Sequence, residues 1–197
     1  STTAYLLQAT DRAGKFLASE EPWYYDPNPL NSTGGRASSV TSPVYACRPS
    51  FHVLMTDGMW NSAMTVDTDD NAAIASLPDG TAYSPRAPFK DPTKNTLADL
   101  AFKYWSTDAR PNLKNDLKPL IAATNNDAAA RYWDPRNNPA TWQHMVNYTV
   151  GLGLGNALTN ANVPWTGETY AGAGYEAIMA GTANWPAASS GSDNNVY

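Results

Sequence analysis

The sequence predicts an α/β domain, on three observations. A helix-spaced apolar pattern opens the chain; a hydrophobic run, Phe51 to Met55, ends on Thr56-Asp57-Gly58; and after a second helix-spaced block an alternating run from Met145 passes into Gly151-Leu152-Gly153. Helix, strand, helix, strand is an order from which open sheets flanked by helices are built.

The first helix is expected over residues 3–18. Leu6, Ala9, Ala13, Phe16 and Leu17 recur at helical spacing behind Ser1, Thr2 and Thr3, with Arg12 and Lys15 on the wetter side. Gly14 is a mild cost inside it, and Pro22 ends any continuation. Residues 20–50 are dense in Pro, Gly, Asn and Ser, with Trp23, Tyr24 and Tyr25 near the start, and read as a long surface loop up to the strand at Phe51. A second long loop, 58–95, carries Asp67, Asp69, Asp70 and Asn71 and then the turn residues Pro78-Asp79-Gly80.

Thr96 or Asn95 caps a second helix, in which Leu97, Leu100, Ala101, Tyr104 and Trp105 share one face. Residues 106–140 return to loop chemistry. A short helix is expected over 140–144, followed by a strand in which Val146, Tyr148, Val150 and Leu152 alternate with smaller or polar residues. Gly174 to Ala180 offers a last brief helix, and the tail after Trp185 is small and polar. A two-stranded sheet is marginal alone, and loops this long sit poorly in a compact domain. Residues 1–197 therefore read as one partial domain, a piece of a larger α/β body whose other strands come from sequence upstream or downstream.

Composition bounds the function. The chain has 197 residues, 42% of them hydrophobic, with 13 basic and 18 acidic side chains and a net charge of −5. That balance argues against nucleic acid, whose binding depends on Lys and Arg neutralising phosphates. No run approaches the roughly 18 apolar residues of a membrane span, and the N-terminus lacks the order of a secretory signal, so any export signal is expected upstream. Only 16% of residues are charged, while Trp (7), Tyr (11), Pro (15) and Gly (13) are plentiful. This leans toward an extracellular surface that makes contacts without relying on charge. The one cysteine, Cys47, is either a reduced thiol or half of a bridge to sequence outside the chain.

Ligands of open α/β sheets collect at the carboxyl ends of strands, which singles out Asp57; the plainer reading is that Asp57-Gly58 simply makes a turn. Thr2 and Thr3 read equally as helix caps. The alternation Asp67, Asp69, Asn71 is a weak calcium-loop candidate, since Ala72 stands where the EF-hand pattern wants Gly and no Glu closes the loop. A solvated acidic turn is the competing reading. His52 and His144 are expected to be packed and hydrogen-bonded, and the loop tryptophans to act as anchors. With no Gly-x-Ser-x-Gly elbow, metal-binding His pair or phosphate-binding Gly loop, the sequence does not read as an enzyme.

The order of blocks resembles the von Willebrand factor A domain, a parallel sheet flanked by helices with a divalent cation at the sheet's carboxyl edge. More specifically FHVLMTDGMWN (51–61), TLADLAFKYW (96–105) and PATWQHMVNYTVGLGLG (139–155) resemble the A-type domain of the type IV pilus tip-associated adhesins, the PilC/PilY family. The resemblance implies a von Willebrand factor A-like fold, incomplete at the N-terminus. It also implies a metal-ion-dependent adhesion site for Mg2+ or Ca2+, built from an Asp-x-Ser-x-Ser motif, a Thr before a helix and an Asp after a later strand. Asp57 matches that Asp and Thr2 or Thr3 the Thr, while the Asp-x-Ser-x-Ser element is absent.

The implied role is that of a non-enzymatic binding and assembly module on the cell surface, at the pilus tip of an exported bacterial protein. Its implied partners are pilin or minor pilins, a host or surface receptor and the rest of its own polypeptide. The alternative is a purely structural packing module with a vestigial ion site. In an exported protein Cys47 is expected to pair with a cysteine beyond this segment.

Overall fold

The computed structural model describes residues 5–19, 46–57, 62–119, 132–135, 137–152 and 172–188. Three helices and two strands follow the expected order: α1 (Leu6–Ala18), β1 (Ser50–Thr56), α2 (Leu97–Ser106), β2 (Met145–Gly151) and α3 (Ala173–Met179). β1 and β2 pair in parallel, from Ser50 opposite Met145 to Thr56 opposite Gly151. The fold is thus α/β with a parallel pair, as the sequence led one to expect.

α2 forms where its cap and apolar face coincide. The Thr96 hydroxyl accepts the Asp99 N–H at 3.1 Å while Oδ2 of Asp99 accepts the Thr96 N–H at 3.1 Å, a capping box closed by Asp in place of the usual Glu or Gln. Of the two expected caps, then, Thr96 serves. Asn95 precedes it in a left-handed conformation (φ 64°), tolerable for Asn, and its side chain accepts the Val66 N–H at 2.8 Å. α2 lies between two apolar clusters. Leu100 packs with Leu7 of α1 against Met64, Val66 and Tyr104; Phe102 and Trp105 turn toward Leu77, Tyr83, Ala140 and Trp142.

The glycine in α1 has a packing reason. A Cβ at residue 14 would stand 2.5 Å from ring carbons of Tyr104, so the backbone cost of Gly14 is what allows α2 to approach α1. The Tyr104 hydroxyl then donates to Oδ1 of Asp11 at 2.6 Å, and Lys15 pairs with the other carboxylate oxygen at 2.6 Å. Burial works to raise the Asp11 pKa, but Lys15 and Tyr104 outweigh it and hold the carboxyl below its ordinary value.

One expected element is absent. Residues 140–144 are not helical but irregular, with a bend at Trp142, before β2 begins. Neighbours from the 106–119 segment take up their backbone groups: Ala109 N–H donates to Gln143 O at 2.8 Å and Leu117 N–H to Thr141 O at 2.9 Å. The Gln143 side chain reaches the carbonyls of Ala46 (2.6 Å) and Lys114 (2.8 Å). Tertiary bonds of this kind override a short run's local helical preference. The expected loops 58–95 and 106–140 hold no helix or strand of more than two residues where described before α2 and β2; the first is pinched by a single antiparallel bridge, Ile74 to Tyr83, across the Pro78-Asp79-Gly80 turn.

Candidate functional site

Asp57 follows β1 directly, exposed at the carboxyl end of the strand, beside the Thr56 carbonyl that accepts the Leu152 N–H at 2.8 Å. This is the edge at which open α/β sheets present ligand-binding groups. Thr2 and Thr3 lie outside the described residues. Mg2+ and Ca2+ take six or more oxygen ligands. The described crest offers one carboxylate, and the chain has no Asp-x-Ser-x-Ser element, so these residues alone do not fit such an ion.

The acidic stretch Asp67, Asp69, Asn71 is not drawn into a single loop site. Asp67 pairs with Lys103 of α2 at 2.8 Å, and that contact is the chief reason its pKa falls below the ordinary value. Asp69 accepts the Asn71 N–H at 2.8 Å and faces Lys94 at 3.5 Å; Asn71 itself is exposed. The structure instead gathers Asp69 with Asp70 and Asp99, one carboxylate oxygen of each within 4.8 Å of the others.

Asp70 and Asp99 are buried. Oδ1 of Asp99 accepts the Asp70 N–H at 3.0 Å and Oδ1 of Asp70 accepts the Asp91 N–H at 2.9 Å, so the carboxylates stitch the 62–95 loop to the start of α2. Burial, with the neighbouring charges of Asp91, Asp99 and Asp69, pushes the Asp70 carboxyl up to about 8. Burial raises Asp91 as well. Oxygen donors in this number are of the type that Mg2+ or Ca2+ takes, yet Asp69, Asp70 and Asp99 each already hold a backbone N–H. Their evident work is structural: they carry the loop, with a proton on Asp70 relieving the repulsion. Asp91 and Asp99 escaped the sequence reading because Asp99 sits in the first turn of a helix and Asp91 beside Pro92, where an acidic residue needs no special explanation.

Both histidines make the hydrogen bonds of packed side chains. His144 is buried, with Nδ1 donating to the Trp142 carbonyl at 2.7 Å and Nε2 accepting from the Asn138 amide at 2.8 Å; burial lowers its pKa and keeps the ring neutral. His52 lies opposite Asn147 in the sheet and bonds its side-chain oxygen at 2.9 Å. The described tryptophans are anchors: the Trp142 indole donates to Trp105 O at 2.6 Å, Trp105 to Asn138 at 3.0 Å and Trp185 to Pro88 O at 2.6 Å, while Arg86 lies 4.7 Å over the Trp133 ring. Trp23, Tyr24, Tyr25 and Trp165 lie outside the described residues. Cys47 is exposed just before β1, and no described helix is long and apolar enough to cross a membrane.

No family model matches the chain, and no solved structure matches it. Curated relatives do. The chain is 47% identical over 196 residues to the type IV pilus biogenesis factor PilY1 of Pseudomonas aeruginosa strain PAK, 45% over 196 residues to that of strain PAO1 and 44% over 194 residues to that of strain UCBPP-PA14. Each alignment takes in 98% of this chain and 16% of the relative, so the chain spans about one sixth of the length of these proteins. The resemblance to PilC/PilY proteins carried by FHVLMTDGMWN and its companion blocks is borne out.

Proposed function

We propose that this chain, homologous along nearly its whole length to one segment of type IV pilus biogenesis factors, is a non-enzymatic module of a pilus-associated surface protein. The observation that carries the reading is the 44–47% identity to those factors over 98% of the chain. Two histidines committed to structural hydrogen bonds are in keeping with a module that binds and does not turn over substrate. In this proposal the module is a von Willebrand factor A-like domain at the pilus tip. It contacts pilin or minor pilins and a surface receptor.

Cation dependence follows as a finer proposal. Asp57 is exposed at the carboxyl end of β1, where an ion-bridged contact would be made. The remaining ligands, Thr2 or Thr3 and an Asp-x-Ser-x-Ser element from elsewhere in the polypeptide, would complete a Mg2+ or Ca2+ site. In the full-length protein, Asp57→Ala is expected to leave surface piliation intact and to abolish the part of attachment that a chelator removes and Mg2+ restores. Attachment that is insensitive to chelator and unchanged by Asp57→Ala contradicts the cation proposal. The second reading, a packing module with a vestigial site, would then hold, and it is favoured by the single carboxylate on the described crest.

Cys47, exposed ahead of β1, pairs in this proposal with a cysteine outside the segment, because exposed thiols rarely persist in oxidising compartments. Thiol titration of the native full-length protein checks this: no reactive Cys47 before reduction is expected, and one free equivalent at that position refutes it.

A further inference from the structure

After α3 the chain passes back over the start of α2. Residues 184–188 are irregular, with Trp185, Pro186 and Ala188 half-buried and Asn184 and Ala187 exposed. The Trp185 indole donates to the Pro88 carbonyl at 2.6 Å, and Ala188 packs against the Leu7–Leu100 cluster. This strap does not close tightly. A cavity of about 220 Å3 is lined by Trp185, Pro186 and Ala188 together with Asp70, Asp91 and Thr96. A short irregular segment with half of its side chains turned outward has little apolar contact to lose on lifting, which puts it at the low-stability end of the fold.

The acids that share the cavity bear on the strap's position. Asp70 is 1% exposed, and burial is the first cause of its raised pKa. The charged groups around it are Asp69, paired with Lys94 at 3.5 Å, Asp91 and Asp99; Tyr83 donates to the Asp70 carbonyl, and Arg86 is turned over the Trp133 ring at 4.7 Å. The strap itself, Thr182 to Ala188, brings no charge. Lifting it admits water to the cavity, and water favours the ionised form of a carboxyl that burial keeps neutral. A group whose ionised form prefers one of two arrangements moves the population toward that arrangement as it titrates.

We infer that residues 182–188 are a latch whose closure over the Asp70–Asp91 cavity is coupled to protonation of these acids, so that the strap lifts locally, with the core intact, as they ionise. The sign follows from the folded state's hold on its proton: closure is favoured in acid and lost as pH climbs through about 8.

Hydroxyl-radical footprinting of the native full-length polypeptide reads the latch, with fully buried Trp142 as the internal standard. Labelling of Trp185 is expected to rise about threefold or more between about pH 6 and about pH 9 while Trp142 stays protected. In the double variant Asp70→Asn/Asp91→Asn, which keeps oxygens to accept the Asp91 and Thr93 N–H groups, the rise is expected to vanish. Trp185→Phe removes the indole donor and keeps a ring, and by reciprocity it is expected to move the half-rise at residue 185 down by about half a pH unit or more. Labelling of Trp185 that is equal at both pH values overturns the inference. So does a rise that Trp142 shares, which is unfolding of the whole domain, a rise undiminished in the double variant, or a half-rise that Trp185→Phe leaves in place.

Discussion

Replacing Trp142 with Ala is expected to destabilise the domain by about 3–5 kcal/mol, the usual range for deleting a fully buried large aromatic side chain. Trp142 has no exposed surface and packs with Leu77, Tyr83 and Ala140. Its ring meets Trp105 edge-on at 5.4 Å, and its indole N–H donates at 2.6 Å to the Trp105 carbonyl. That carbonyl lies in the last turn of α2, where it has no helical partner, so the substitution strips a half-buried acceptor of its donor as well as leaving a void. The same residue leads into β2, so α2, the 74–83 hairpin and the sheet all lose a shared wall. Single domains are stable by only 5–15 kcal/mol, and a loss on this scale is a large part of the total. Denaturant titration with circular dichroism measures it. A change under about 1 kcal/mol, the range of an ordinary surface substitution, would show that this cluster is not the core.

The second large effect is a pH dependence of unusual sign. Most proteins lose stability toward acid because carboxylates paired in the native state must take up protons. Asp70 acts in the opposite direction: folding lifts its carboxyl to about 8 from an ordinary 3.8, chiefly by burial and then by Asp91, Asp99 and Asp69 around it. Between these values the folded state keeps a proton that the unfolded chain has released. The stabilisation is therefore fully present below about pH 4 and lost as pH climbs through about 8. Asp91, raised in the same surroundings, adds to the trend. Asp11 and Asp67, held low, oppose it only where pH drops below the ordinary carboxylate range.

The expected outcome is a midpoint of thermal unfolding that falls from about pH 5 to pH 8, by an amount worth a few kcal/mol at roughly 1.4 kcal/mol per pKa unit. Asp70→Asn keeps an oxygen to accept the Asp91 N–H and removes the titrating group. It should flatten the profile and leave the variant more stable than the parent at pH 8. A variant profile that runs parallel to the parent's would place the pH dependence elsewhere.

The elements legible in the sequence were those whose signal is local. Leu100 lies buried on the face expected of α2, Thr96 caps that helix, and β1 and β2 stand where the hydrophobic run and the alternating run were. The face of α1 was misplaced: Leu7, Thr10, Asp11 and Gly14 are buried, while Ala9 and Phe16, expected on the apolar side, are exposed, because Gly14 and Asp11 are what meet Tyr104 of α2. Gly14 was legible as a cost but not as a fit, because the ring of Tyr104 that occupies its missing Cβ is 90 positions away. The 140–144 run was misread for a related reason: Trp142 and Gln143 are held by Trp105 and Lys114, partners that no short window contains. The carboxylate knot is likewise a product of tertiary closure. Asp69 drew notice by its spacing from Asp67 and Asn71, and Asp70 only as a member of the same acidic run, whereas Asp91 and Asp99 joined them through a loop that folds back on α2. At the sheet's crest the position of Asp57 was legible from Thr-Asp-Gly after a hydrophobic run, since strand ends are where ligand groups gather.

The central claim is that β1 and β2 are interior strands of a larger helix-flanked sheet of which this chain supplies a part. Amide hydrogen exchange of residues 50–56 and 145–151 in the native full-length polypeptide tests it most directly. In a parallel pair, alternate N–H groups of each strand point to its partner and the others point away. If both strands have neighbours on their outer sides, all of these amides exchange slowly and as one cooperative unit. Fast exchange at every second amide along either strand, with slow exchange only at those facing the partner, would leave β1 and β2 as an isolated pair and contradict the account.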